Sequence, residues 1–208
     1  MKRNIIYSIL FVFVICAFTF GVTYAYYYAS SDDDFSGEVA SGVTTMLRLD
    51  KVYKASKLVP LSDNLVPNAI SKSTNKCIDK NGYEVCSLYK IVLNNSGSSE
   101  ELYGYVRTTE STYITDNLKY QIFDTNYNAL TDVMTLSKVA DETVYNKKND
   151  VNYSVVSTGT TTYYLVIWLT DIAAQNQSDD YSKTFSGVVG FESVTHFGTE
   201  NGKIEAGL

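Results

Sequence analysis

The chain has 208 residues, with 17 Lys plus Arg against 23 Asp plus Glu and a formal net charge of −6. That acidity disfavours nucleic acid, whose phosphates call for a basic face, and the length suits one domain with a sizeable core. Eighteen tyrosines and only two prolines, beside many Thr, Val and Ser, suit half-buried strands more than helices.

The chain opens with Lys2 and Arg3, an apolar run from Ile5 to about Val22, and the small residues Thr23 and Ala25. A positive end, an apolar middle and a small-residue site make an export signal, with cleavage expected after Ala25. The same run is long enough to cross a bilayer, so a retained anchor with Tyr26, Tyr27 and Tyr28 as its interfacial belt is the alternative. Either way the remainder faces outward. Without residues 1–25, which hold two bases and no acid, the net charge is −8. Expected localisation is therefore secreted, in an extracellular matrix or at the cell surface, and membrane-anchored if the helix stays.

Residues 26–41 form a polar N-terminal extension, and 42–197 are expected to be the folded domain. Val43 to Lys54 reads as a strand. Residues 56–76 hold both prolines and read as a long loop with a turn of helix near Pro67. The next segment is CIDKNGYEVC, from Cys77 to Cys86. Asn81-Gly82 is a type I′ hairpin signal. With it at the tip, Ile78 faces Val85 and Cys77 faces Cys86 in a non-hydrogen-bonded pair, where side chains approach most closely. In an exported protein that predicts a structural Cys77–Cys86 disulfide.

Strands follow at Glu84 to Leu93 and Glu101 to Thr108, separated by the turn cluster Asn94 to Ser99. In the second of them Leu102, Gly104 and Val106 share one face. Tyr103, Tyr105 and Arg107 share the other and form a candidate exposed, adhesive interface. Asn117 to Asp124 alternates again, while residues 125–150 read as a short helix or two strand fragments. Val151 to Val156 and Thr161 to Leu169 are the next strands. The apolar TTTYYLVIWL is expected at the sheet centre with Trp168 in the core. A polar excursion over 171–184 precedes the strand Phe185 to Val194, in which Gly187 and Gly190 mark bends or close backbone approach. Residues 198–208 read as a tail. The class is all-β, a two-sheet antiparallel sandwich behind an N-terminal signal helix.

No catalytic or metal signature emerges. The single histidine, His196, cannot build HExxH or supply a zinc ligand set, and no Ser lies in a GxSxG context. The clusters Asp32–Asp34, Asp171 and Asp179–Asp180 could offer oxygen ligands to Ca²⁺ but lack EF-hand spacing, so they read as solvated loops. The expectation is a non-enzyme without cofactor or metal.

Three stretches carry a resemblance: GVTYAYYYASSDD, YKIVLNNSGSSEELYGYVRT at 89–108, and YYLVIWLTDIAAQNQSDDYSKTFSGVVGFESV at 163–194. They resemble the TasA/camelysin family of exported Gram-positive surface proteins, processed by a SipW-type signal peptidase. The resemblance implies a jelly-roll-like sandwich that self-associates into biofilm-matrix fibres. The segment after the cleavage site, Tyr26 to Val39 with Phe35, would be donated as a strand to the next subunit. The expected partners are further copies of the chain, the signal peptidase during export and other matrix or cell-wall components. A monomeric or tethered surface binding module is the alternative, its ligand meeting loops 56–76 and 171–184.

Overall fold

Long alternating segments give the described residues a fold dominated by antiparallel strands. The computed structural model describes residues 44–71, 74–172, 177–199 and 202–208, all within the compact unit Ser36–Leu208. The signal run, Ala25, Tyr26 to Tyr28, Phe35, Val39 and the donor segment lie outside the described residues. Among the described residues no helix is long and apolar enough to cross a membrane.

In chain order the strands are β1 (Thr45–Tyr53), β2 (Ile70–Ser71), β3 (Lys76–Cys77), β4 (Cys86–Ser111), β5 (Leu118–Phe123), β6 (Met134–Thr135), β7 (Thr143–Tyr145), β8 (Lys147–Lys148), β9 (Val151–Asn152), β10 (Ser154–Leu169), β11 (Phe185–Ser193) and β12 (Lys203–Gly207). One short helix, α1 (Val66–Ala69), follows a 3-10 turn at Asp63–Leu65, and its Pro67 sits in the first turn, where a missing N–H costs nothing.

The strand β4, 26 residues long, is common to both layers. Its first half pairs with β1 on one side and with the second half of β10 on the other. Its second half pairs with β11 on one side, and with β7 and the start of β10 on the other. The first layer is completed by β5 and β6, the second by β12. The expected Asn94–Ser99 turn is therefore a bend inside a continuous strand. Asn95, 3 % exposed, holds it. Its amide oxygen accepts from Thr44 Oγ1 (3.0 Å) and Gly97 N (2.8 Å), and its nitrogen donates to Ser98 O (2.7 Å) and Ser157 O (2.8 Å). These four bonds supply locally the partners that the ladder loses at the bend. Opposite, β10 shifts register between Ser157 and Gly159, so the two strands predicted at 151–169 merge into one bent strand.

The main core lies between the layers. Leu47, Tyr89, Ile91, Leu93, Tyr120, Leu165 and Ile167 face Leu102, Val106, Val189, Phe191, Ile204 and Ala206. A second core covers the other side of the first layer, where Val66, Ala69, Ile70, Cys77 and Val85 pack on Cys86, Leu88, Phe123, Val166 and Trp168. Two-sided burial explains why LVIWL, Leu165 to Leu169, is continuously apolar. Trp168 is fully buried as expected, and its indole N–H donates to Asp63 Oδ1 at 2.8 Å.

Two expectations need correction. The tail 198–208 contains β12, which closes the second layer against β11; five residues with only Ile204 and Ala206 facing the core gave too short a period to read. The hairpin register is also one residue off. Ile78 faces Glu84 rather than Val85. Asp79 Oδ1 accepts from the N–H groups of Asn81 (2.9 Å) and Tyr83 (2.8 Å), Gly82 N donates to Asp79 O (3.0 Å), and Gly82 takes φ +86. The aspartate thus builds a three-residue loop ending in a left-handed glycine, in place of a two-residue I′ turn. The Cys77–Cys86 disulfide still forms, with Cα atoms 5.3 Å apart, inside the second core.

Candidate ligand groove and the tyrosine face

The predicted adhesive face lies on the outside of the second layer. Across it the ladders align Glu205, Gly190, Tyr105 and Tyr145 in one row. A Cβ on Gly190 would lie 2.3 Å from Tyr105 Cζ, so the missing side chain is what lets the Tyr105 ring lie across the neighbouring strand. Its hydroxyl then donates to Glu205 Oε1 at 2.9 Å. Arg107, one step along, donates to the same carboxylate through Nε (3.1 Å) and a terminal nitrogen (2.5 Å), and pairs with Asp141 at 3.3 Å. Burial pushes the Glu205 carboxyl up, but the hydrogen bonds from Arg107 and Tyr105 outweigh it and hold the group below its usual range. Burial, with Glu205 alongside, pushes the Tyr105 hydroxyl far up.

Glu192 lies beneath this face with no exposed surface. Tyr145 Oη donates to one of its oxygens and Gly198 N to the other, each at 2.6 Å. Tyr103 meets Phe197 edge-on at 5.7 Å, and Tyr145 packs 5.5 Å from Tyr105. The expected exposed interface is thus corrected for Tyr105, which is 1 % exposed, while Tyr103 and Arg107 are half-buried. The Tyr145 ring from the neighbouring strand β7 and the turn carrying Phe197 cover the face, and neither had a sequence signal strong enough to place it there. His196 is exposed in the Val194–His196 turn, its Nδ1 3.0 Å from Thr195 Oγ1.

The described residues form an open groove elsewhere, of about 610 Å³, between segment 54–60 and segment 177–185. A volume in that range suits a small ligand. Its floor is apolar: Tyr89, Leu118 and Ile167 from one end of the main core, with Leu58 packed against them and Leu169 alongside. Tyr113, Tyr181 and Phe185 add aromatic walls, and Lys54, Lys57 and Lys183 add ammonium groups. Both walls are tied down. Glu84 accepts from Tyr53 Oη (2.6 Å), Ser56 N (2.8 Å), Ser56 Oγ (2.7 Å) and Lys57 N (3.4 Å). Those bonds lower the Glu84 carboxyl to about 2, the Tyr53 bond contributing most, and Tyr53 is pushed up to about 12. On the other side Asp180, 5 % exposed, accepts from Asn117 Nδ2 at 2.6 Å and from Thr115 Oγ1. Gln177 bridges Ile172 N (3.3 Å) and Thr170 O (2.8 Å).

Of the predicted carboxylate clusters, Asp180 is thus structural, whereas Asp171 and Asp179 are exposed; no group of three or more His, Cys, Asp or Glu residues among the described residues could hold a metal ion. Segments 56–76 and 171–184, the loops expected to meet the ligand of a binding module, supply most of the rim. Their convergence required the β10 ladder to place Leu169 next to the Leu61 bridge, which no local pattern encodes.

No family model matches this chain and no curated protein matches it. Among solved structures, the PA14 sugar-binding domain from RTX adhesin is similar at 9 % identity and a TM-score of 0.26, covering 73 % of this chain and 71 % of that one. An overlap that loose carries no argument about function, and the chain is described by its own structure: an antiparallel β-sandwich with a disulfide-stapled cap and an open groove at one end of its core.

Proposed function

We propose that this chain is an extracytoplasmic surface binding module whose ligand seat is the groove between segments 54–60 and 177–185. The observation that carries this reading is the groove itself: about 610 Å³, with an apolar floor, aromatic walls and ammonium groups, between walls fixed by Glu84 and Asp180. The export-type N-terminus and the Cys77–Cys86 disulfide support a location outside the cytoplasm. The module is non-catalytic; peptidase activity abolished by chelator and by His196→Ala would overturn that. The test of the seat is a saccharide and cell-wall binding screen beside Ala55→Trp, which plants an indole in the groove. Binding lost in the variant at an unchanged melting temperature supports the seat, and ligands that hold both proteins equally sink it.

A second reading, a TasA-like matrix-fibre subunit assembled by strand donation, is favoured by one feature. Among the described residues β1 has a ladder partner only in β4, leaving an outer edge directly after residues 26–41. Light scattering and negative-stain microscopy of residues 26–208, beside a chain starting at Gly42, test it. Regular fibres from the longer protein alone support donation; two folded monomers at high concentration remove it.

A further inference from the structure

The chemistry left free around the groove differs from that of the molecule as a whole. Ser87 Oγ accepts from Ala55 N at 3.2 Å, both ends of the Gln177 amide are engaged, and the Asp180 carboxylate takes two donors. Glu84, behind the rim, takes four. The acceptors at this end of the protein are thus largely committed to its own loops. The ammonium groups are not: among the described residues the ion pairs Arg48–Asp50, Arg107–Asp141, Arg107–Glu205 and Lys138–Asp116 leave out Lys54, Lys57 and Lys183. Three donors without ionic partners therefore line a groove on a protein whose net charge is −6. A local cationic lining on an acidic body favours an anionic ligand. The aromatic part points the same way in shape. Tyr181 is 78 % exposed and Tyr113 is half-buried, so flat rings with polar tips stand at the mouth, suited to an amphipathic ring that remains partly wet.

Resting on the proposed seat, we infer that the groove takes an acidic saccharide, its ring against Tyr113 and Tyr181 and its carboxylate among Lys54, Lys57 and Lys183. The three lysines give the charge preference, and the tyrosines hold the sugar whatever its charge.

The test is calorimetric titration of the full chain with a galacturonic acid trisaccharide and with the neutral galactose trisaccharide. The acidic sugar is expected to bind roughly tenfold more tightly, the sum of several screened charge contacts. That preference should vanish at about 1 M salt, where the screening length falls to about 3 Å. It should also vanish in the Lys54→Gln, Lys57→Gln, Lys183→Gln variant, while Tyr181→Ala weakens both sugars alike. The salt arm uses the unmodified protein and so decides the matter even if the triple variant folds poorly. Equal binding of the two sugars, both blocked by Ala55→Trp, overturns the charge assignment and leaves the seat standing. Binding of neither sugar overturns the saccharide assignment; the seat then stands or falls on the Ala55→Trp comparison in the wider screen.

Discussion

The two halves of β4 share one backbone and one inner face, yet their outer faces are covered in opposite ways. Behind the first half, Cys86 and Leu88 meet a cap of apolar side chains from α1, β2 and β3, with the disulfide through its middle. Behind the second half, Tyr105 and Arg107 meet carboxylates, and each buried oxygen of Glu192 has its own donor. The first arrangement draws its stability from area removed from water. The second must satisfy every polar group it buries, because a buried carboxylate without donors is costly. The capped half should therefore respond to lost volume, and the roofed half to lost fit.

Removing volume should show the largest effect. Trp168→Ala takes the largest side chain from the cap and leaves Asp63 with one donor fewer; a loss of about 3–5 kcal/mol is expected in denaturant titration. Replacing Cys77 and Cys86 by Ala should cost about 2–4 kcal/mol by releasing the hairpin in the unfolded chain, with reduced wild-type protein melting alike. On the roofed half, Gly190→Ala forces a Cβ into the Tyr105 ring, and overpacking of about 1–3 kcal/mol is expected. Tyr105→Phe in the same background should restore it only in part, because the ring carbon Cε2, 2.5 Å away, still clashes once the hydroxyl is gone. An unchanged melting temperature for Gly190→Ala would break the comparison.

The smallest effect is in acid. The folded Glu84 carboxyl sits at about 2 against an ordinary 4.5. Its ionised form thus stabilises the fold fully above about 4.5, and that contribution is lost as pH falls toward 2. A melting series over this interval should fall less steeply for Glu84→Gln, which starts lower at neutral pH. Parallel curves would mean that the Tyr53 and Ser56 contacts contribute nothing to stability in solution.

Period-two alternation made part of the inner face legible: Leu47 and Leu49, and Leu102 and Val106, pack in the core as their spacing places them. Even the Cys77–Cys86 link survived a misread register, because both residues flank the same short hairpin. What escaped was everything supplied from a distance. The chain between Asn94 and Ser99 looks like a turn, and only Asn95 bonding to Ser157 and Thr44 converts it into a bend. The Tyr103, Tyr105 and Arg107 stripe looks like a surface, and only β7 and the Phe197 turn make it an interior. The groove arises where two polar loops of weak pattern converge, so its rim carried no periodic signal, although floor residues such as Tyr89 and Ile167 lie on strands the sequence showed.

The shared strand also has a consequence for how the chain is built. Because β4 forms ladders with β1, β7, β10 and β11, neither layer can close until the polypeptide has been made nearly to its end. A chain emerging from its N-terminus would carry β4 with one edge bare but for β7 until β10 arrives and the other half-bare until β11. Such edges invite pairing with neighbours, and distant pairings are slow to form. For this protein the vulnerable interval is its own synthesis, and a chaperone that shields strand edges would matter more to its yield than to its finished stability.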